Sequence, residues 1–212
     1  MGITRFPHGA SSFGSPVVGG GILTTGDVYF VHYTNGNDGN IGNNPDEPFK
    51  TLDFAVGMCT ASQGDTIILM EGHSETVISS IAVDVQGIKI IGFGSGDKRP
   101  TITVNAAVYG INVSAADCII SNVRVIAGSA VTAATRLLRN AASNTQFIRC
   151  RFEMAYDMYH MIVAVSGDDV VFDECEFENT VTTSASVHPQ TALLQISGRV
   201  LAASSLLEVF GV

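Results

Sequence analysis

From position 64 onward, apolar residues come in short runs separated by turns: TIIL (66–69), IAV (81–83), IKIIGF (88–93), TITV (101–104), YGINV (109–113), CIISNVRV (118–125), QFIRCRF (146–152), MIVAV (161–165), VVFDECEF (170–177) and ALLQI (192–196). Runs this short, broken by turn residues, read as strands. No stretch of helical period separates them, apart from an ambiguous one at 129–142. An earlier strand, DVYFV, occupies 27–31, and a polar loop follows over 35–47. Next, Phe49, Leu52 and Val56 share one side with Ala55 and Cys59, Thr51 stands at an N-cap position and Asp53 in the first turn. This arrangement predicts a short helix over 52–59.

Three segments superimpose without gaps. Ile120-Ser-Asn-Val123-Arg124-Val125 matches Phe147-Ile-Arg-Cys150-Arg151-Phe152, which matches Phe172-Asp-Glu-Cys175-Glu176-Phe177. The offsets are 27 and 25 residues. In each segment an apolar–charged–apolar triplet places alternate residues inward, and the two residues before it fit a tight bend. A repeat of this length made of strands and corners indicates a parallel β-helix, in which each strand stacks on its equivalent in the next coil. An antiparallel sandwich would want hairpin signals between the repeating strands. The one clear Asn-Gly, Asn35-Gly36, lies in the early loop instead.

Stacking at this offset predicts two interior ladders, Ile120–Phe147–Phe172 and Val123–Cys150–Cys175. On the outside it places Arg149 over Glu174 and Arg151 over Glu176, as favourable cross-strand pairs. Arg124 over Arg151 is a like-charge pair and counts against the register.

Composition changes the picture in two ways. Val 23, Ile 18 and Thr 17 against Leu 10 favour strands, and only 15% of residues are charged, so the surface is built largely from small polar and apolar side chains. With 11 Lys+Arg against 20 Asp+Glu, the net charge of −9 disfavours duplex nucleic acid as a partner. No apolar stretch reaches the length that spans a bilayer, and the first residues lack the pattern of a secretory signal. Cys59, Cys118, Cys150 and Cys175 lack zinc spacing and read as buried free thiols of a reducing compartment.

Residues 1–26 differ from the rest. They hold seven glycines, Pro7, Pro16, scattered apolar residues and one basic side chain, Arg5. This segment reads as an extended arm that orders on a partner surface, with Ile3, Arg5, Phe6, Pro7 and Phe13 as its anchors. Residues 27–212 form the β-helix domain. The tail over 190–212, almost uncharged, covers the far end of its own solenoid or meets a neighbouring subunit.

Two stretches carry a family resemblance. GNDGNIGNNPDEPFKTLDFAVGMC followed by GDTIILMEGHSETV resembles the opening of right-handed parallel β-helix proteins of the pectin-lyase-like kind, where the helix caps the first end of the solenoid, and IKIIGFGSGDKRPTI resembles the next coil. MGITRFPHGASSFGSPVVGGG resembles the N-terminus of tailed-phage virion proteins of the same type, associated with trimeric head-decoration (cement) proteins and more loosely with tailspikes. The resemblance implies an all-β, right-handed single-stranded parallel β-helix. It also implies a homotrimer on the capsid exterior, made in the host cytoplasm, that bridges major capsid protein subunits. On this reading the protein is not an enzyme and needs no cofactor or metal.

Asn37-Asp38-Gly39-Asn40 lacks the terminal Glu of a calcium loop, and Gly92–Lys98 lacks the Gly-Lys-Ser/Thr of a phosphate loop. Asp168, Asp169, Asp173, Glu174, Glu176 and Glu178 form the densest acidic patch; paired carboxylates there would suit glycoside hydrolysis. A polysaccharide-degrading or receptor-binding tailspike is therefore the alternative, with Asp169 and Asp173 as the residues to test. A stand-alone host protein of the same fold is a third. His8, His32, His73, His160 and His188 are isolated in sequence.

Overall fold

The computed structural model describes residues 10–12, 15–17, 24–105, 109–129, 136–154, 163–165, 167–179, 194–196 and 200–203. Near the N-terminus, β1 (Ala10–Ser12) and β2 (Ser15–Val17) pair antiparallel, Ser12 opposite Ser15. The arm therefore holds a two-stranded antiparallel hairpin where an irregular extended segment is expected from sequence. The anchor candidates Ile3, Arg5, Phe6, Pro7 and Phe13 lie outside the described residues.

Strand β3 (Val28–Val31) starts the solenoid, and helix α1 (Leu52–Met58) follows the polar loop. The first coil holds β4 (Thr66–Leu69), β5 (Ser74–Val77) and β6 (Ile81–Val83). The second holds β7 (Lys89–Gly92), β8 (Thr101–Val104) and β9 (Tyr109–Val113). The third holds β10 (Ile119–Ser121), β11 (Arg124–Ala127) and β12 (Arg136–Asn140). Then come β13 (Gln146–Ile148), β14 (Arg151–Met154) and β15 (Val163–Val165), followed by β16 (Val170–Asp173), β17 (Glu176–Asn179), β18 (Leu194–Ile196) and β19 (Val200–Ala203).

Strands of successive coils pair parallel and build three sheets of seven, five and five strands: β19-β16-β13-β10-β7-β4-β3, β17-β14-β11-β8-β5 and β18-β15-β12-β9-β6. The fold is a parallel β-solenoid. The ambiguous stretch at 129–142 supplies strand β12. Strand β5 has only one apolar residue, Val77, and no apolar run marks it in the sequence.

The register brings Ile120, Phe147 and Phe172 into one ladder, and the Phe147 and Phe172 rings stack with centroids 4.9 Å apart. Phe152 and Phe177 stack at 5.4 Å in the neighbouring sheet. Val123, Cys150 and Cys175 are all buried at the intervening corner. The four cysteines are free, and Cys59 is the only one not fully buried. The corners between the first two sheets are made by Asn122, Arg149 and Glu174, with φ of 56°, 52° and 50°. Left-handed backbone turns the chain from one sheet to the next without leaving the coil.

Helix α1 closes the first end. Thr51 Oγ1 accepts from Phe54 N–H, and Leu52, Ala55 and Val56 are buried against the coil below. Asp38 holds the approach to the helix, accepting from Lys50 N–H, Thr51 N–H and the Thr51 hydroxyl at 2.8, 3.0 and 3.0 Å. Asp53 does more than favour the helix N-terminus: its Oδ1 accepts from the backbone N–H of Ala82, on the edge strand β6, at 2.8 Å.

Candidate functional site

The outward face of the sheet formed by β5, β8, β11, β14 and β17 gathers the charge. In-register pairing stacks Arg124, Arg151 and Glu176 in one row. Two residues on, Ile126, Glu153 and Glu178 form a second row. The like-charge contact between Arg124 and Arg151 is resolved by Glu153. Its Oε2 accepts from Arg124 Nε at 3.0 Å and Nη2 at 2.6 Å, and lies 3.6 Å from Arg151 Nε. Arg151 also lies 3.6 Å from Glu176, and its Nη2 donates to Glu178. Partial burial works against the Arg151 charge, but the hydrogen bond it donates to Glu178 and the charges of Glu178, Glu153 and Glu176 outweigh it and hold the guanidinium above its ordinary value. Arg149 and Glu174 meet at 4.0 Å on the corner, both about 60% exposed.

Sequence reasoning missed Glu153. The signal was present: Arg151-Phe152-Glu153 continues the period of two by one residue, so Glu153 shares the outward face with Arg151.

A turn overhangs this face. Between β7 and β8 the chain bends through a short 3-10 segment, Gly96–Lys98, stabilised by Lys98 N–H to Ser95 O at 3.0 Å and Arg99 N–H to Gly96 O at 3.1 Å. It is a corner within one coil, not a phosphate loop. The Asn122 side chain clamps it by donating to Gly92 O at 2.8 Å and Gly94 O at 2.9 Å. A Cβ at Gly92 would stand 2.2 Å from Asn122 O, and Gly94 has φ +101°. Glycine is required at both for the turn to approach the corner. Beneath the turn lies a groove of about 300 Å³ lined by Gly96, Asp97, Arg99, Arg124, Arg151 and Glu176.

The rest of the acidic patch does not converge. Asp173 is on the outward face of the first sheet, opposite Ile148, while Asp169 and Glu174 sit on two different corners with φ of 55° and 50°. Only Glu176 and Glu178 reach the arginine rows. Among the described residues, no three His, Cys, Asp or Glu side chains gather to hold a metal ion.

A histidine–glutamate pair is buried under the helical cap. His73 and Glu75 are 1% and 4% exposed, with His73 Nε2 3.3 Å from Glu75 Oε2. His73 Nδ1 accepts from Tyr33 N–H at 3.2 Å, and Glu75 Oε2 accepts from Leu52 N–H at 3.0 Å. The pair joins β5 to the loop after β3 and to the first turn of α1. Its role is to satisfy buried backbone at the end of the solenoid.

No family model matches the chain, and no curated protein matches it. A solved structure described as a rhamnogalacturonan lyase is similar, with a TM-score of 0.57 and 15% identity, over 82% of this chain and 51% of that one. The chain thus spans about half the length of that protein. At this identity the likeness shows the fold. It also corrects the expectation that the protein is not an enzyme: this solenoid is a scaffold on which an enzyme is built, so the lack of a familiar motif does not exclude catalysis.

Proposed function

We propose that the protein is a structural component of a tailed-phage virion: a decoration protein, trimeric, that stabilises the head by bridging major capsid protein subunits. The observation that carries this reading is the opening MGITRFPHGASSFGSPVVGGG, an apolar, glycine-rich segment with one basic residue, joined to a rigid solenoid. The solenoid end is well suited to hold such an arm. Asp65 accepts from Asp27 N–H at 2.8 Å and from Thr60 N–H at 2.7 Å, which pins the start of β3 beside the end of α1. Apolar anchors on an arm gain by filling grooves or extending sheets, and three arms on one trimer bind with raised effective concentration. Electron microscopy of heads with and without the protein tests the reading, together with a chain lacking residues 1–20. The truncated chain should fold and fail to decorate. Full decoration without the arm would remove the proposal.

The groove favours a second reading, a polysaccharide-binding or polysaccharide-degrading virion protein. Arginines and carboxylates facing solvent together on a flat sheet are suited to the hydroxyl and acid groups of a glycan, and the similar solved structure is named for a lyase activity. Release of oligosaccharides from a surface polysaccharide, lost on Glu176→Gln, would favour it. Decoration of heads by a chain with no effect on any glycan would set it aside.

A further inference from the structure

We propose that the groove under the β7–β8 turn binds a small oxyanion (a carboxylate, sulfate or phosphate group) with Arg99 as its anchor. Its charged lining is three arginines (99, 124 and 151) and two acids (Asp97 and Glu176), and Glu153 and Glu178 beside it offset Arg124 and Arg151. The three arginines are not equivalent. Arg124 commits Nε and Nη2 to Glu153, and Arg151 commits Nη2 to Glu178. Arg99 makes no ion pair among the described residues, which sets it apart from the other two; its Nε, like that of Arg151, is buried with no hydrogen-bond partner. An orphaned guanidinium N–H is costly, and the fork of donors around it matches the two oxygens of an oxyanion.

The turn fixes the arginine in place. Thr101 Oγ1 donates to Arg99 O at 3.1 Å, Gly72 N–H donates to Lys98 O at 2.8 Å, and the neighbouring Pro100 is buried. At about 300 Å³ the groove is at the small end of ligand pockets and takes one group of sugar size or less. Arg124 and Arg151 line the same groove and extend the site. The assignment rests on the saccharide reading for the location of the site and adds the charge class of the ligand.

Calorimetric titration of the full chain at low salt, with sodium phosphate, sodium sulfate, sodium galacturonate and neutral glucose as separate probes, tests it. At least one oxyanion should bind with a Kd of about 1 mM or tighter and glucose should not, which also identifies the source of the anion. Arg99→Gln should weaken binding at least about tenfold, and Arg99→Lys should restore part of it. Asp97→Asn, on the exposed turn, should tighten binding, which keeps the proposal testable even if Arg99 variants fold poorly. Failure of all three oxyanions to bind, equal binding by Arg99→Gln, or equal binding of glucose overturns it. Polysaccharide cleavage is scored separately. Turnover without oxyanion binding removes this assignment and leaves the saccharide reading, whereas binding without any glycan interaction does the reverse.

Discussion

The two faces of the sheet β5–β8–β11–β14–β17 put opposite physics on one backbone. Inward, Ile102, Val125, Phe152 and Phe177 stack in register, all but Phe177 at 1% exposure or less. Outward, one position away, Arg124, Arg151, Glu153, Glu176 and Glu178 form ion pairs across the same rungs. Inside, each contact is dry, independent of salt and repeated. Outside, each pair competes with water and is worth about 0–1 kcal/mol. Charge acquires structural weight only where burial removes that competition: at Glu75, which occupies the inward position below Ile102, and at Glu153, whose side chain is 10% exposed between two arginines. The solenoid is held by its interior, and its outer face is left free to be chosen for binding.

The largest test of this contrast is Phe152→Ala. It removes a ring packed against both Phe147 and Phe177 and should cost about 3–5 kcal/mol, read from the midpoint of chemical denaturation. A loss below about 1 kcal/mol would mean that the interior collapses easily and that the inner face is not dominant. Next comes Glu75→Ala. It leaves Leu52 N–H buried without its acceptor and removes the carboxylate 3.3 Å from His73 Nε2, at a cost of about 2–4 kcal/mol concentrated at the cap. Hydrogen exchange over α1 should accelerate more than over β10 and β13. Uniform acceleration would show that the pair does not act locally.

Glu153→Gln sharpens the boundary between the faces. It removes the charge that separates Arg124 from Arg151 and should cost about 1–2 kcal/mol at low ionic strength. Because the arginines are about one third exposed, salt should shrink the deficit. A deficit that does not change with salt would place Glu153 with the interior.

Much of the inner face was legible in the sequence because it obeys period two within strands and an offset of 25 to 27 residues between coils. Phe147 and Phe172, or Cys150 and Cys175, need only that arithmetic. The outer face was less legible. Glu153 falls outside the matched hexapeptides, and Arg99 lies in a turn whose partner, Asn122, is reached only through the next coil. The His73–Glu75 pair was hidden because a cap inverts the ordinary rule: at the end of a solenoid the inward positions face helix backbone, and a polar side chain is wanted there. The arm gave composition and resemblance but no register, so its hairpin had no sequence pattern to announce it.

The smallest effect concerns the corner where the two faces meet. Arg149 has φ 52°, a conformation that most side chains resist and asparagine accepts more readily. Asparagine already fills the matching corner one coil earlier, at Asn122, and another corner at Asn144. What Arg149 gains in exchange is an ion pair with Glu174 at 4.0 Å, both side chains more than 60% exposed. Such a pair contributes a few tenths of a kcal/mol, less than the backbone penalty it accompanies. Arg149→Asn should therefore stabilise the protein by about 0.5 kcal/mol, with the gain larger in high salt, where the lost pair is already screened. Destabilisation of that size at low salt would show that an exposed charge pair can outweigh backbone strain, and the outer face would then have to be counted among the forces that hold the coils in register.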